Sequence, residues 1–126
     1  MKYIVKTEKS IDQAAADLVE ATVAHKFGVL HVYDLRATME SKGVAFDREV
    51  RVLEVCNPHH AHTALSADIE VNLALPCGSS VWENGGVHYI GMLKPSVLLQ
   101  TVSDAPLADL AAEVEETMVK IIDAAR

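Results

Sequence analysis

Ser79-Ser80-Val81-Trp82-Glu83, then Asn84-Gly85-Gly86, then Val87-His88-Tyr89-Ile90-Gly91-Met92 is the stretch that decides the fold. Two β-leaning runs enclose a segment able to supply the positive φ of a tight turn, so the spacing predicts a β-hairpin. Upstream, strands and helices alternate. Residues 2–8 lean towards β, and Ser10 followed by Gln13 resembles a capping box. Ile11, Ala14, Ala15, Leu18, Val19 and Val23 recur at helical spacing, which predicts a helix over about 11–26 with Gly28 as its stop. Val29 to Tyr33 reads as a strand whose alternation puts Leu30 and Val32 on the core face and Val29, His31 and Tyr33 on the other. Asp34 caps a short helix ending at Gly43, and Arg48 to Cys56 is a valine-rich strand.

Asn57-Pro58 stops that strand and starts a helix over His59 to Ala67, with Ala61, Ala64 and Leu65 as its apolar stripe. Ile69, Val71, Leu73 and Leu75 alternate over too few residues to separate a strand from an extended loop. Downstream of the hairpin, Pro95 to Val102 reads as a short helix. Ser103 or Asp104 then caps a longer one carrying Leu107, Leu110, Ala111, Val114, Met118, Ile121, Ile122 and Ala125. Its other face, with Glu113, Glu116, Lys120 and Asp123, reads as solvated. The whole predicts an α+β fold: a single domain over 1–126, a two-layer sandwich with a mostly antiparallel sheet and helices packed on one face. The other face, too apolar to be left in water, is expected to serve as a dimer interface or a ligand cavity.

The chain has 126 residues, enough to bury roughly two-thirds of its unfolded surface without metal or disulfide staples. Eleven Lys and Arg against 18 Asp and Glu give a net charge of −7, with no basic cluster to neutralise phosphates, so a nucleic-acid partner is set aside. Charges between Lys2 and Lys9 interrupt any signal-peptide core, and no run has the apolar length to span a bilayer. A cytoplasmic location and no membrane partner are the expectations. Two cysteines in that setting are expected as reduced thiols.

Cys56 sits at a strand end just before a helix N-terminus, where amide dipoles favour a thiolate, yet it shares strand parity with Val50 and Val52 and packs equally well as a small hydrophobe. Cys77 follows Pro76 at a bend and has the same two readings. The two thiols meet only if the residues between them fold back. His59, His60 and His62 make a Cys-x-x-His-x-x-His run with Cys56, but His59 and His62 fall opposite the apolar stripe and read as solvated. His31 shares a face with Tyr33, where a donor and an acceptor could meet a ligand. His25 and His88 read as surface residues. Phosphate loops, zinc-protease pairs, nucleophile elbows and Cys-x-x-Cys pairs are absent, and capping accounts for Asp34, Asp47 and Asp68.

Phe27 to Leu35, Lys42-Gly43, Glu54 to Pro58 with Ala61 and Leu65, and Leu75-Pro76-Cys77 together resemble the domain-of-unknown-function family 302 over nearly the whole chain. The resemblance implies a compact α+β domain, commonly a dimer, without a settled activity. It also ranks His31, Cys56, Asn57-Pro58, Pro76 and Cys77 above the other histidines. Gly78 departs from the pattern, where a basic residue is expected, which removes support for an anion contact there.

Three functions follow. The first is a small binding protein, homodimeric by the resemblance, whose pocket uses His31, Tyr33, Cys56, Asn57 and Cys77. It would take haem, a transition metal or a thiol-reactive small molecule, with His31, Cys56 and Cys77 as the candidate metal ligands. The second is a thiol redox or sulfur-handling enzyme with Cys56 as nucleophile and Cys77 as resolving thiol. The third is a dimeric interaction module without chemistry.

Overall fold

In a computed structural model describing all of residues 1–126, the chain runs through β1 (Lys2–Thr7), α1 (Ile11–Ala24), β2 (Gly28–Asp34), α2 (Leu35–Ser41), β3 (Val50–Cys56) and α3 (Pro58–Ala67). A 3-10 helix (Ile69–Ala74) leads to β4 (Cys77–Asn84), β5 (Val87–Leu93), α4 (Pro95–Val102) and α5 (Ala108–Ala125). The strands form one antiparallel sheet in the order β1-β5-β4-β3-β2. The α+β expectation holds.

The hairpin forms because Gly85 (φ 60°) and Gly86 (φ 77°) take the two positive-φ positions of a two-residue turn whose twist matches the strands. α1 starts where Ser10 Oγ accepts from the Gln13 amide at 3.1 Å. The Gln13 side chain turns to Asp17 instead of back to Ser10, so the cap is single rather than reciprocal. The helix ends earlier than the sequence suggested, at Ala24, with Lys26 beyond it in the left-handed region (φ 69°), and Gly28 opens β2 instead.

α1 and α5 cover one sheet face. Leu18, Val114, Met118, Ile121 and Ile122 close over Leu53, Val55, Val81 and Ile90 in one continuous core. The stripe read on α5 is therefore the buried one. On β3 the buried residues are Leu53 and Val55, so Val50, Val52 and Glu54 have the parity of the open face.

β2 departs from the reading. A bulge between Val29 and His31 inserts one residue into the edge strand and shifts its alternation. Val29 packs against the core and Leu30 (60% exposed) is the extra residue, while Val32 (40% exposed), opposite Leu53, keeps the core-side parity and His31 and Tyr33 the open one, as read. The alternating segment 69–75 is a 3-10 helix that buries Val71 alone, against Ala64 and Leu107. Ser103 does not cap α5. Its hydroxyl donates to Asp68 Oδ2 at 2.6 Å and accepts from the Ala105 amide at 3.1 Å, and α5 begins at Ala108 with no side-chain cap. No helix is long and apolar enough to cross a membrane.

Gly91 is needed for close approach. A Cβ there would stand 2.9 Å from the Trp82 ring and 2.9 Å from the Tyr3 carbonyl. Gly91→Ala is expected to cost about 1–3 kcal/mol, read as a lower urea midpoint. Gly78→Ala, whose Cβ meets only Leu53 O at 3.6 Å, is expected to leave the midpoint nearly unchanged. Equal midpoints for the two variants would refute the crowding at Gly91.

Candidate functional site

At the end of the sheet where β3 stops and β4 starts, α3, the 3-10 helix, α4 and α5 leave an apolar cavity of about 50 Å³. Cys56, Cys77, Phe27, His60, Ala61 and Leu110 are among its walls. Cys77 pairs in register with Val55, the neighbour of Cys56, so the twenty residues between the thiols do fold back and bring them together. Both are free and half-buried. Burial pushes the Cys77 thiol up, and the nearby Cys56 raises it further.

The raised Cys77 pKa has a consequence for stability. The folded state holds the Cys77 proton more tightly than the unfolded chain, so this contribution is complete below the ordinary thiol value of about 9 and lost as pH rises through the folded one. Urea midpoints measured from pH 7 to pH 10 are expected to fall more steeply in the wild type than in Cys77→Ala. Parallel curves would show that Cys77 titrates alike in both states.

Asn57 explains the local geometry. Its Oδ1 accepts from the His59 amide (3.0 Å) and the His60 amide (3.1 Å), and its Nδ2 donates to Lys26 O at 3.4 Å. It thereby fixes the start of α3 beside the cavity while forming part of the wall. His60 is the residue that sequence reasoning passed over. Its ring packs on Phe27 with centroids 5.8 Å apart, its Nε2 lies 3.5 Å from Glu113 Oε1, and its buried Nδ1 has no hydrogen-bond partner. The signal was present, because residues 60, 61 and 64 share one face of a helix. His59 and His62 are exposed, as read. His25 and His88 each donate to a backbone carbonyl, Ala21 O and Lys9 O, both at 2.8 Å.

His31 and Tyr33 stand elsewhere. Registered with Glu54 and Val52, they occupy the open face, with ring centroids 4.2 Å apart. A hydrogen bond to Glu54 raises the Tyr33 pKa, with burial adding to it. Cys77, registered with Val55, has the opposite parity to His31 and packs against the core. The expected metal set of His31, Cys56 and Cys77 is thus divided between the two sheet faces. No group of three or more His, Cys, Asp or Glu side chains is arranged to hold a metal ion. The cavity is small beside a haem macrocycle.

Fold and site define an α+β domain with a small apolar cavity, walled by two free thiols, at one end of an antiparallel sheet. The chain belongs to the family of the domain of unknown function DUF302, whose model matches residues 3–125. The crystal structure of an uncharacterized conserved DUF302 protein from Bacillus stearothermophilus is similar to it at 30% identity. That likeness covers 99% of this chain and 98% of the other, with a TM-score of 0.93. No curated protein matches the chain. The family resemblance read from the sequence is borne out, and with it the fold.

Proposed function

We propose that this is a cytoplasmic ligand-binding module whose cavity admits a small, neutral, thiol-reactive molecule and presents Cys56 and Cys77 to it. The observation that carries the reading is the convergence of two free thiols on one apolar cavity. Apolar walls disfavour a charged ligand, whose desolvation nothing there would offset. The test compares methyl methanethiosulfonate with its charged sulfonatoethyl analogue, following modification by intact mass. The neutral reagent is expected to be preferred by at least about tenfold more than it is by free cysteine, as a buried charge costs several kcal/mol. The same preference as free cysteine would sink the reading.

A homodimer through the open sheet face belongs to the same proposal. Ile4, Leu93, Trp82, Tyr89 and Val52 form an apolar centre between Lys2 and Lys6 on the β1 edge and Glu54 towards the β2 edge. A two-fold axis running along the strands between two such faces lays the basic edge of one copy over the acidic side of the other. Sedimentation is expected to give a dimer that Ile4→Glu converts to monomer. A wild-type monomer at high micromolar concentration would refute the arrangement.

A further inference from the structure

We infer that His60 is the proton acceptor of the thiol cavity, with Glu113 holding it in the tautomer that acts. The inference rests on the proposed thiol-ligand reading and adds the group that makes Cys56 reactive towards a neutral electrophile. His60, in the first turn of α3, and Cys56, at the end of β3, line the same cavity. The ring is held from two sides: Phe27 packs on it at 5.8 Å, and Glu113 from α5 reaches Nε2 at 3.5 Å.

A carboxylate at Nε2 favours the proton there and leaves Nδ1 as the lone-pair nitrogen. That Nδ1 is buried and has no partner, the Cys56 thiol included, which is costly unless the thiol turns to it when a ligand enters the cavity. The arrangement of nucleophile, imidazole and orienting carboxylate follows the logic of activated thiols, with the three groups drawn from β3, α3 and α5. Asn57 contributes by fixing the first turn of the helix that carries the imidazole.

The step balances with nothing else present. As Cys56 sulfur forms its bond to the electrophilic carbon, the thiol proton passes to His60 Nδ1. With an α,β-unsaturated carbonyl compound, the π electrons move to the α-carbon, which takes the proton back from Nδ1. With an alkyl halide, the carbon–halogen bond breaks, halide leaves with the electron pair, and the proton goes on to solvent. The ligand class is therefore a neutral carbon electrophile of only a few non-hydrogen atoms, as the cavity volume requires.

The probe is iodoacetamide, with Cys56 carbamidomethylation followed by peptide mapping in a Cys77→Ala background at fixed neutral pH. His60→Phe keeps an aromatic ring against Phe27, and His60→Gln keeps a polar side chain of similar reach. Both are expected to slow the reaction at least about tenfold, the low end of what positioned bases contribute. Added imidazole is expected to restore part of the rate in His60→Ala, a rescue that a purely structural role would not give. Unchanged rates in the folded His60→Phe and His60→Gln proteins, or no rescue by imidazole, would overturn the inference. The methanethiosulfonate preference of the wild type is read separately. Its loss refutes the cavity reading, whereas its persistence beside unchanged alkylation rates refutes only the role of His60.

Discussion

Leu53→Ala is expected to destabilise the protein by about 2–5 kcal/mol, a large share of the stability of a domain this size. Leu53 is fully buried near the middle of β3 and belongs to the continuous core beneath α1 and α5. Its removal costs the transfer term of the lost carbons and the term for the space left behind. Little relaxation is available, because the wall is shared by the sheet and two helices pinned at both ends. Leu30→Ala is the matched comparison. It deletes the same atoms from a position 60% exposed, and is expected to stay within about 0.5 kcal/mol of the wild type. Urea denaturation of the two variants measures both. Comparable losses would mean that β2 follows the simple alternation and that its bulge is absent in solution.

That pair of leucines also marks where sequence stops specifying the fold. The hairpin was legible because its signal is local: two glycines in the turn and β-leaning flanks. α5 was legible because a long stripe at helical spacing is seldom anything but the buried face. The start of β2 was not, since the one extra residue, Leu30, turns Val29 to the core and leaves no mark in the residue types, whereas His31 and Tyr33 fall on the open face as their alternation implies. Ser103 illustrates a different loss. A serine ahead of a helix is a good cap in isolation, but Ser103 donates to Asp68, thirty-five residues earlier, and accepts from the Ala105 amide in a local turn, and α5 starts at Ala108 with no side-chain cap. A local turn at Ala105, tied to Asp68 from the other side, competes for the oxygen that a cap would use.

The cavity was half legible for the same reason. Cys56, Asn57 and Cys77 were named from position and resemblance, and all three line it. Their meeting depends on the β3–β4 register, which places Cys77 opposite Val55 and which periodicity does not fix. His31 and Tyr33 were grouped with them through shared site positions, yet the register assigns that pair to the open face beside Glu54. Leu99 from α4 and Leu110 from α5 complete the walls from the far end of the chain, so no local motif could have announced them. His60 differs from these. Its place beside Ala61 and Ala64 on α3 could be read from the wheel, but the wheel does not say that Phe27 and Glu113 flank the ring.

Ala61→Leu is expected to close the cavity to reagents while leaving the fold intact. Ala61 lines the cavity on the same helix face as His60 and Ala64, and three further carbon atoms there compete for a space of about 50 Å³. Ala61 keeps partial exposure, so the longer side chain has somewhere to yield, and the cost in stability is expected at or below about 1 kcal/mol, the lower end of overpacking. Access is the larger effect. Modification of Cys56 and Cys77 by methyl methanethiosulfonate is expected to slow at least tenfold, the factor that about 1.4 kcal/mol of added barrier produces. An exposed site such as Val23→Cys, at 58% exposure on α1, labels at an unchanged rate in the same protein and so reports on the reagent rather than the fold. Thiols that react as fast in Ala61→Leu as in the wild type would be reached by some route other than the cavity, either directly from solvent or through local opening of the sheet end. Slowed labelling with an unchanged urea midpoint would instead fix the cavity as the path by which a small molecule meets both sulfurs, and it would separate the closing of a site from the loosening of a core.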